Sequence, residues 1–317
     1  MFSWQYSSAH KLALTQMLIA VILANMNPIF TKVLFGRGWT PISLYFVTLV
    51  IMSIILVAHE MMAIERGERW GMTRQDLFGT LLSTLTGGIG SPILFFIGLQ
   101  YVSASETVLL TSLMPFWVVL FGVIFFKEKF TGQMAGGSAL LVAAVLVLIW
   151  PDVKSFNFNP GVPFLLMSPI LSALTTIIHK KYIKHRHLDS IILVRTILSM
   201  LIVGMWIHLF EFESLAIIKE PENIWILLLV PILGFIFPFF LYFGALKKTK
   251  VTEAGIVAAV GRTFAVIAAS SLLGEQLGVY HMLSITLVIF GVIFINVPLT
   301  KWRIVPSRLM EAGPLRK

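Results

Sequence analysis

The chain has 317 residues, of which 57% are hydrophobic and only 12% charged, and its mean hydropathy is +0.91. A water-soluble domain carries about 25% charged residues, so soluble, fibrous and disordered classes are excluded and an integral membrane protein remains. There is no cysteine, which excludes disulfides, iron–sulfur clusters and thiolate-held zinc; the net charge of +9 takes its meaning from where it sits.

A membrane-crossing helix needs about 20 mostly apolar residues. In chain order such runs fall at Leu12–Leu34 (span 1), Pro41–Ala58 (span 2), Leu77–Leu99 (span 3), Glu106–Phe126 (span 4) and Met134–Trp150 (span 5). They continue at Val162–Ile178 (span 6), Ser190–Phe210 (span 7), Ile224–Leu246 (span 8), Thr252–Leu273 (span 9) and Tyr280–Val297 (span 10). The first run is too long for a signal-peptide core and no small-residue cleavage site follows, so it is expected to be a retained helix. The connecting segments are short.

The 24 Lys and Arg segregate. Counted through ten spans, only Arg37, Lys154 and Lys219 fall on one side, and Lys32, Arg195 and Arg262 fall within spans; all the others fall on the side of the N-terminus. Such a bias marks the cytoplasmic side and predicts that both chain ends lie there. The basic excess is then a collar for the bilayer surface rather than a nucleic-acid patch.

The chain repeats itself. Gly88, Pro92 and Gly98 of span 3 recur with the same spacing as Gly234, Pro238 and Gly244 of span 8. One residue later in register, Glu106 falls on Glu253 and Glu128 on Glu275. The shift lays spans 1–5 on spans 6–10. Five is odd, so the second copy is expected upside down relative to the first. The expected organisation is residues 12–150 as one five-helix repeat, 162–297 as its inverted mate, and 298–317 as a cytoplasmic tail, with the proline-bounded segment Pro151–Pro160 as the seam. Inverted-topology repeats are the architecture of secondary transporters, in which two bundles rock about a central site.

These features resemble the EamA-type members of the drug/metabolite transporter superfamily. The residues that carry the resemblance are Asn27-Pro28 and Lys32 in span 1, Met114-Pro115-Phe116 in span 4, the acids Glu128 and Glu275 closing spans 4 and 9, and Arg195 early in span 7. The resemblance covers nearly the whole chain and implies a ten-helix carrier of small metabolites. The chain departs from the pattern at Thr48, where span 2 would repeat Arg195. It departs again at His179, where span 6 would repeat Lys32, and at Arg262, where span 9 would carry the mate of Pro115.

Ionisable groups inside a membrane are costly and are functional candidates by default. Arg262 stands near the middle of span 9, and no Asp or Glu stands in the central part of any span. A midplane cation with no sequence-evident carboxylate partner points to a carboxylate-bearing or anionic solute; bonding to backbone carbonyls freed by Gly and Pro is the structural alternative. Asn25, Asn27, Tyr101, Trp117 and Tyr242 are the other candidate binding residues, with Thr111 a further lining residue. Pro28, Gly88, Pro92, Pro115, Gly234 and Pro238 are candidate helix breaks or gates, because paired Gly/Pro interruptions in matching spans point to a transporter site; close helix packing would use the same small residues. Lys32, Arg195, Glu106 and Glu253 are expected to be structural charges near helix ends.

Two motifs are set aside. His185-Arg186-His187 lies in a basic loop with no second ligand cluster, and Gly87-Gly88-Ile89-Gly90 is no phosphate cradle, since no strand precedes it and no Walker motif exists. The expectation is a secondary transporter of a small metabolite, an amino acid or another carboxylate, working as an exporter in the bacterial cell (inner) membrane. No cofactor and no nucleic acid are expected; a coupling ion and the oligomeric state stay open. A membrane-embedded enzyme acting on lipid head groups, or a non-transporting scaffold or sensor, are the alternatives.

Overall fold

In the computed structural model, residues 8–65, 72–183, 188–219, 221–246, 249 and 251–296 are described. The tail 298–317, the end of span 10 at Val297, the His185-Arg186-His187 motif, and basic residues including Arg66, Arg69, Lys184, Lys247 and Lys248 lie outside them. Every regular element among the described residues is helical.

Ten helical segments are long and apolar enough to cross a membrane: His10–Gly36, Pro41–Glu65, Arg74–Tyr101, Ala104–Phe126, Gly132–Ser155, Gly161–Tyr182, Ser190–Phe210, Trp225–Tyr242, Ile256–Leu273 and Val279–Asn296. They correspond in order to spans 1–10. Span 2 runs a further turn or two beyond its apolar stretch, to Glu65, because backbone hydrogen bonding continues after hydrophobicity stops. Leu146, Leu209 and Phe290 stay 56%, 64% and 51% exposed by the protein itself, the pattern of a lipid-facing surface. The chain is therefore an all-α membrane protein.

Prolines shape the spans. Pro28 cannot donate to the Ala24 carbonyl four residues back, and span 1 breaks into Ser8–Asn25 and Asn27–Gly36 around Met26. Spans 3 and 8 each widen into a π-helical turn, Thr84–Gly90 and Ile232–Ile236, just before Pro92 and Pro238. A wider turn relieves the clash between a proline ring and the preceding carbonyl. The carbonyl that Pro92 leaves without its helical donor belongs to Gly88, and the buried Tyr45 hydroxyl of span 2 donates to it. In span 4, a 3-10 turn at Thr111–Leu113 precedes Pro115. Its mate, span 9, carries Arg262 there instead and runs as one unbroken helix, Val251–Leu273.

The two halves are inverted, and three matched helix pairs show it. We call the end where span 1 begins the near end, and the other the far end. Span 2 packs on its mate, span 7, with Glu60 at the finish of one accepting from Ser190 at the start of the other. At the opposite end Thr40 donates to Glu211 at 3.1 Å. Spans 5 and 10 meet with Gln133 donating to the Phe294 carbonyl and with Gly137 against Gly291. In spans 4 and 9, the first residues of one meet Glu275 just past the end of the other. In each of these three pairs the helix is antiparallel to its own copy, which a pair of repeats in the same orientation cannot produce.

The halves also interlock. Span 3 packs on span 6 as span 8 packs on span 1, and span 4 packs on span 6 as span 9 packs on span 1. The pairing is unchanged when the halves are exchanged. Close approach depends on small residues: a Cβ on Gly137 would come within 2.6 Å of Ile295, and one on Gly261 within 2.3 Å of Val21. Apolar clusters on the 5/10 side and on the 2/7 side flank the middle of the bundle.

Candidate functional site

Two cavities adjoin in the middle of the bundle. The first, of about 420 Å³, is walled by the π-helical break of span 3 and by spans 1, 4 and 6. The second, of about 350 Å³, is walled by spans 1, 8 and 9. Ala24, Asn25, Gly234 and Phe235 line both, so the cavities share a wall made of the broken part of span 1 and the π-helical turn of span 8.

The cavities are repeat-mates. Spans 3, 4 and 6 around the first correspond to spans 8, 9 and 1 around the second. Under the shift, Phe96 matches Tyr242 and Ser172 matches Asn25, while Thr111 matches Ala258. Pro115, the mate of Arg262, does not reach the first cavity, whereas Arg262 lines the second. One duplicated pocket has thus diverged into a neutral and a cationic version.

The cationic cavity holds Arg262, Tyr242 and Asn25. Arg262 and Tyr242 interact electrostatically, and the Asn25 amide donates to the Val21 carbonyl at 2.7 Å. One terminal nitrogen of Arg262 is buried and makes no hydrogen bond. Arginine has five N–H donors, and a buried donor left unmade costs about 1–3 kcal/mol, more for a charged group.

The neutral cavity is lined by apolar side chains, hydroxyls and the Asn25 and Asn27 amides. Ser91 of span 3 lies 3.0 Å from the Ser168 hydroxyl and 2.6 Å from that of Ser172. Ser168 also donates to the Ser91 carbonyl at 2.9 Å. Phe95, Phe96 and Met114 supply apolar wall. Among the described residues, no Asp or Glu lines either cavity.

The other sequence candidates take several places. Asn27, Pro28 and Pro92 line the neutral cavity and Pro238 the cationic one. Asn27 also accepts from Thr31 at 2.9 Å and packs on Gly234, where a Cβ would sit 3.0 Å from its amide nitrogen. Gly88 lines neither cavity. Its neighbour Gly87 does, while Gly88 seats the Arg195 stem and Ser199. The Arg195 stem of span 7 therefore packs against span 3 at Gly88. Tyr101 is 54% exposed at the last residue of span 3, too far along the helix to reach the middle. Trp117 is not among the residues lining either cavity; it packs beside Phe116 and Phe121, its indole N–H buried without a partner.

Charged residues organise the two ends. At the far end, Lys32 donates to the Gln100 carbonyl at 3.4 Å and lies in the field of Glu275 and Glu106. Glu106 lies 3.5 Å from His281 of span 10, and its repeat-mate Glu253 at the near end lies 3.3 Å from His10 of span 1. Glu275 accepts from the Ala104 N–H at 2.6 Å, from the Ser105 N–H at 2.9 Å and from the Ser105 hydroxyl. A carboxylate on the exposed N–H groups of a helix start is a favourable cap. Its mate Glu128 follows the same left-handed turn, Lys127 at φ 53° answering Gly274 at φ 69°. Yet Glu128 pairs with Lys180 of span 6, and its side chain is 44% exposed.

The hydroxyl cluster and the docking of Glu275 were not among the sequence candidates. Carrying Asn25 through the repeat to Ser172 would have pointed to the first. Nothing local in the sequence separates Glu275 from Glu128, because they differ only in what lies opposite.

The model of the EamA-like transporter family matches the chain twice, over residues 11–150 and 159–297. The chain belongs to the EamA-like transporter family. Its relatives include the uncharacterized transporter YetK of Bacillus subtilis (strain 168), 25% identical over 259 residues, which cover 78% of this chain and 76% of that protein. They also include the uncharacterized transporter YcxC of the same organism, 22% identical over 232 residues, with 66% and 71% covered. A chain of known crystal structure, 15% identical, shares the fold with a TM-score of 0.63 over 94% of this chain and 100% of its own. The chain is thus a membrane transporter, with a small-molecule substrate and a lipid environment.

Proposed function

We propose that the chain is a secondary carrier that moves a small carboxylate-bearing solute by alternating access, with export as its direction in a bacterial cell membrane and both chain ends cytoplasmic. The observation that carries this reading is Arg262. It is a cation in a cavity at the seam of two inverted halves, with a buried donor nitrogen that lacks a partner. A carboxylate accepts two parallel N–H bonds from a guanidinium and would satisfy that nitrogen.

Alternating access draws support from the ends. They are equivalent by the repeat, but Glu275 is docked at the far end while Glu128 pairs elsewhere at the near end. A carrier with one end closed differs from its own mirror state in this way. A half-buried arginine with one buried, unpaired nitrogen also argues for function over packing, since a mid-membrane Arg costs about 2.5–3.5 kcal/mol on insertion scales.

Counterflow in proteoliposomes loaded with unlabelled organic acids, wild type against Arg262→Gln, tests the reading. Wild type accumulates a labelled acid and the variant does not. Equal flux through a folded Arg262→Gln protein, or no counterflow of any carboxylate tried, sinks the reading. Vesicles sorted by orientation, with the N-terminal tag inside or outside, read the direction.

A further inference from the structure

Resting on that reading, we infer that the two repeat-mate cavities form one bipartite site for a monocarboxylate whose remaining body is uncharged: the carboxylate sits at Arg262, and the body, bearing a hydroxyl, sits among Phe95, Phe96 and the Ser91–Ser168–Ser172 cluster. Zwitterionic amino acids are disfavoured.

Three observations carry it. The cavities are contiguous, since Ala24, Asn25, Gly234 and Phe235 line both. A solute held in one reaches the other without crossing a helix. The charges are one-sided, with Arg262 in one cavity and, among the described residues, no Asp or Glu lining either. An ammonium group brought in beside the carboxylate would lose its water and meet hydroxyls and amides but no anion. Burying an unpaired charge is strongly unfavourable. The uncharged wall also fits a particular body. A dry cavity of about 150 Å³ holds one benzene ring, so the neutral cavity of about 420 Å³ takes one or two rings.

The serine cluster explains why that body should carry a hydroxyl. Three hydroxyls bond chiefly to one another across spans 3 and 6. A hydroxyl has one donor hydrogen and two acceptor lone pairs, so the cluster retains acceptor capacity for an incoming O–H. The mate of Ser172 is Asn25, which lines both cavities. Divergence of the duplicated pocket has therefore left a charge-reading half and a hydroxyl-reading half.

A matched series separates the terms: 3-(4-hydroxyphenyl)propionate, tyrosine and tyramine share one body and differ in carrying a carboxylate, both charges or an ammonium. Binding is read on the purified full chain by its melting shift, and transport by counterflow. The acid is expected to bind at least about tenfold more tightly than tyrosine, the scale of one charged group left without its partner, and tyramine is expected not to compete. Removing the hydroxyl, as 3-phenylpropionate, should weaken binding about threefold to tenfold, the worth of one neutral hydrogen bond. That difference should vanish in Ser172→Ala.

Tyrosine moved in preference to the acid overturns the inference and leaves the carrier reading standing, whereas tyramine moved in preference to both overturns the carboxylate reading as well. An acid that neither shifts the melting of folded wild-type protein nor moves also overturns it. The carrier reading falls if no carboxylate of any body is moved, or if a folded Arg262→Gln protein moves acids as well as wild type does. Equal binding of the two acids by wild type and Ser172→Ala alike overturns the hydroxyl half.

Discussion

Glu275→Ala removes the docking of one half on the other, and its effect can be worked from three hydrogen bonds. The carboxylate accepts from the Ala104 N–H at 2.6 Å, the Ser105 N–H at 2.9 Å and the Ser105 hydroxyl. A hydrogen bond to a charged group contributes about 1.5–3 kcal/mol net, and losing a helix cap costs about 0.5–2 kcal/mol. The terms overlap, and a released carboxylate regains water. The loss on opening the far end is then about 2–4 kcal/mol, so the ratio of open to closed far ends should rise about 30- to 700-fold, at 1.4 kcal/mol per factor of ten. Glu275→Gln keeps an acceptor but not the charge, and a neutral bond is about half as strong. It should shift the ratio about 5- to 30-fold. Glu128→Ala breaks only a half-exposed pair with Lys180, whose contribution is about 0–1 kcal/mol, and should leave the far end within about fivefold of wild type. The chain has no cysteine, so single reporters can be placed freely. Thr107 is fully buried one turn inside the docked start of span 4, and Thr107→Cys should react with a membrane-impermeant maleimide only when the far end opens. An unchanged labelling rate in a folded Glu275→Ala protein, or equal opening by Glu128→Ala, would refute the reasoning.

Two further outcomes follow from buried groups. Arg262→Met should abolish acid transport while leaving the ligand-free protein as stable as wild type or up to about 3 kcal/mol more stable, because a cation with an unpaired buried nitrogen is removed from the membrane interior; a melting temperature lowered by more than a few degrees would mark Arg262 as a structural residue. Tyr45→Phe should cost about 1–3 kcal/mol in reversible unfolding, since the Gly88 carbonyl then loses its donor. Adding Pro92→Ala, which returns a backbone N–H to that carbonyl, should recover much of the loss; additive losses in the double variant would show that the hydroxyl and the proline are unrelated.

The sequence by itself determined the class, the span count and the doubling of the chain. These follow from terms that are local and additive: the length of an apolar run against the bilayer thickness, and the spacing of Gly88, Pro92 and Glu106 against Gly234, Pro238 and Glu253. The same locality made Pro28, Pro92 and Pro238 legible as breaks, since a proline disturbs its own helix whatever surrounds it. Arg262 was legible because a charge in an apolar run is costly anywhere. What a side chain faces across the bundle is not local. Tyr101 and Trp117 look as suited to the central cavities as Tyr242, but axial position puts Tyr101 beside Glu106 in another cavity of about 320 Å³, and Trp117 packs on Phe116 and Phe121. Serines read as ordinary small packing residues until spans 3 and 6 bring Ser91, Ser168 and Ser172 together. Only the tertiary structure decided that Glu275 docks on a helix start while its copy Glu128 binds Lys180. Two inverted copies in one bilayer present equivalent ends in sequence, and a single folded state must treat them unequally.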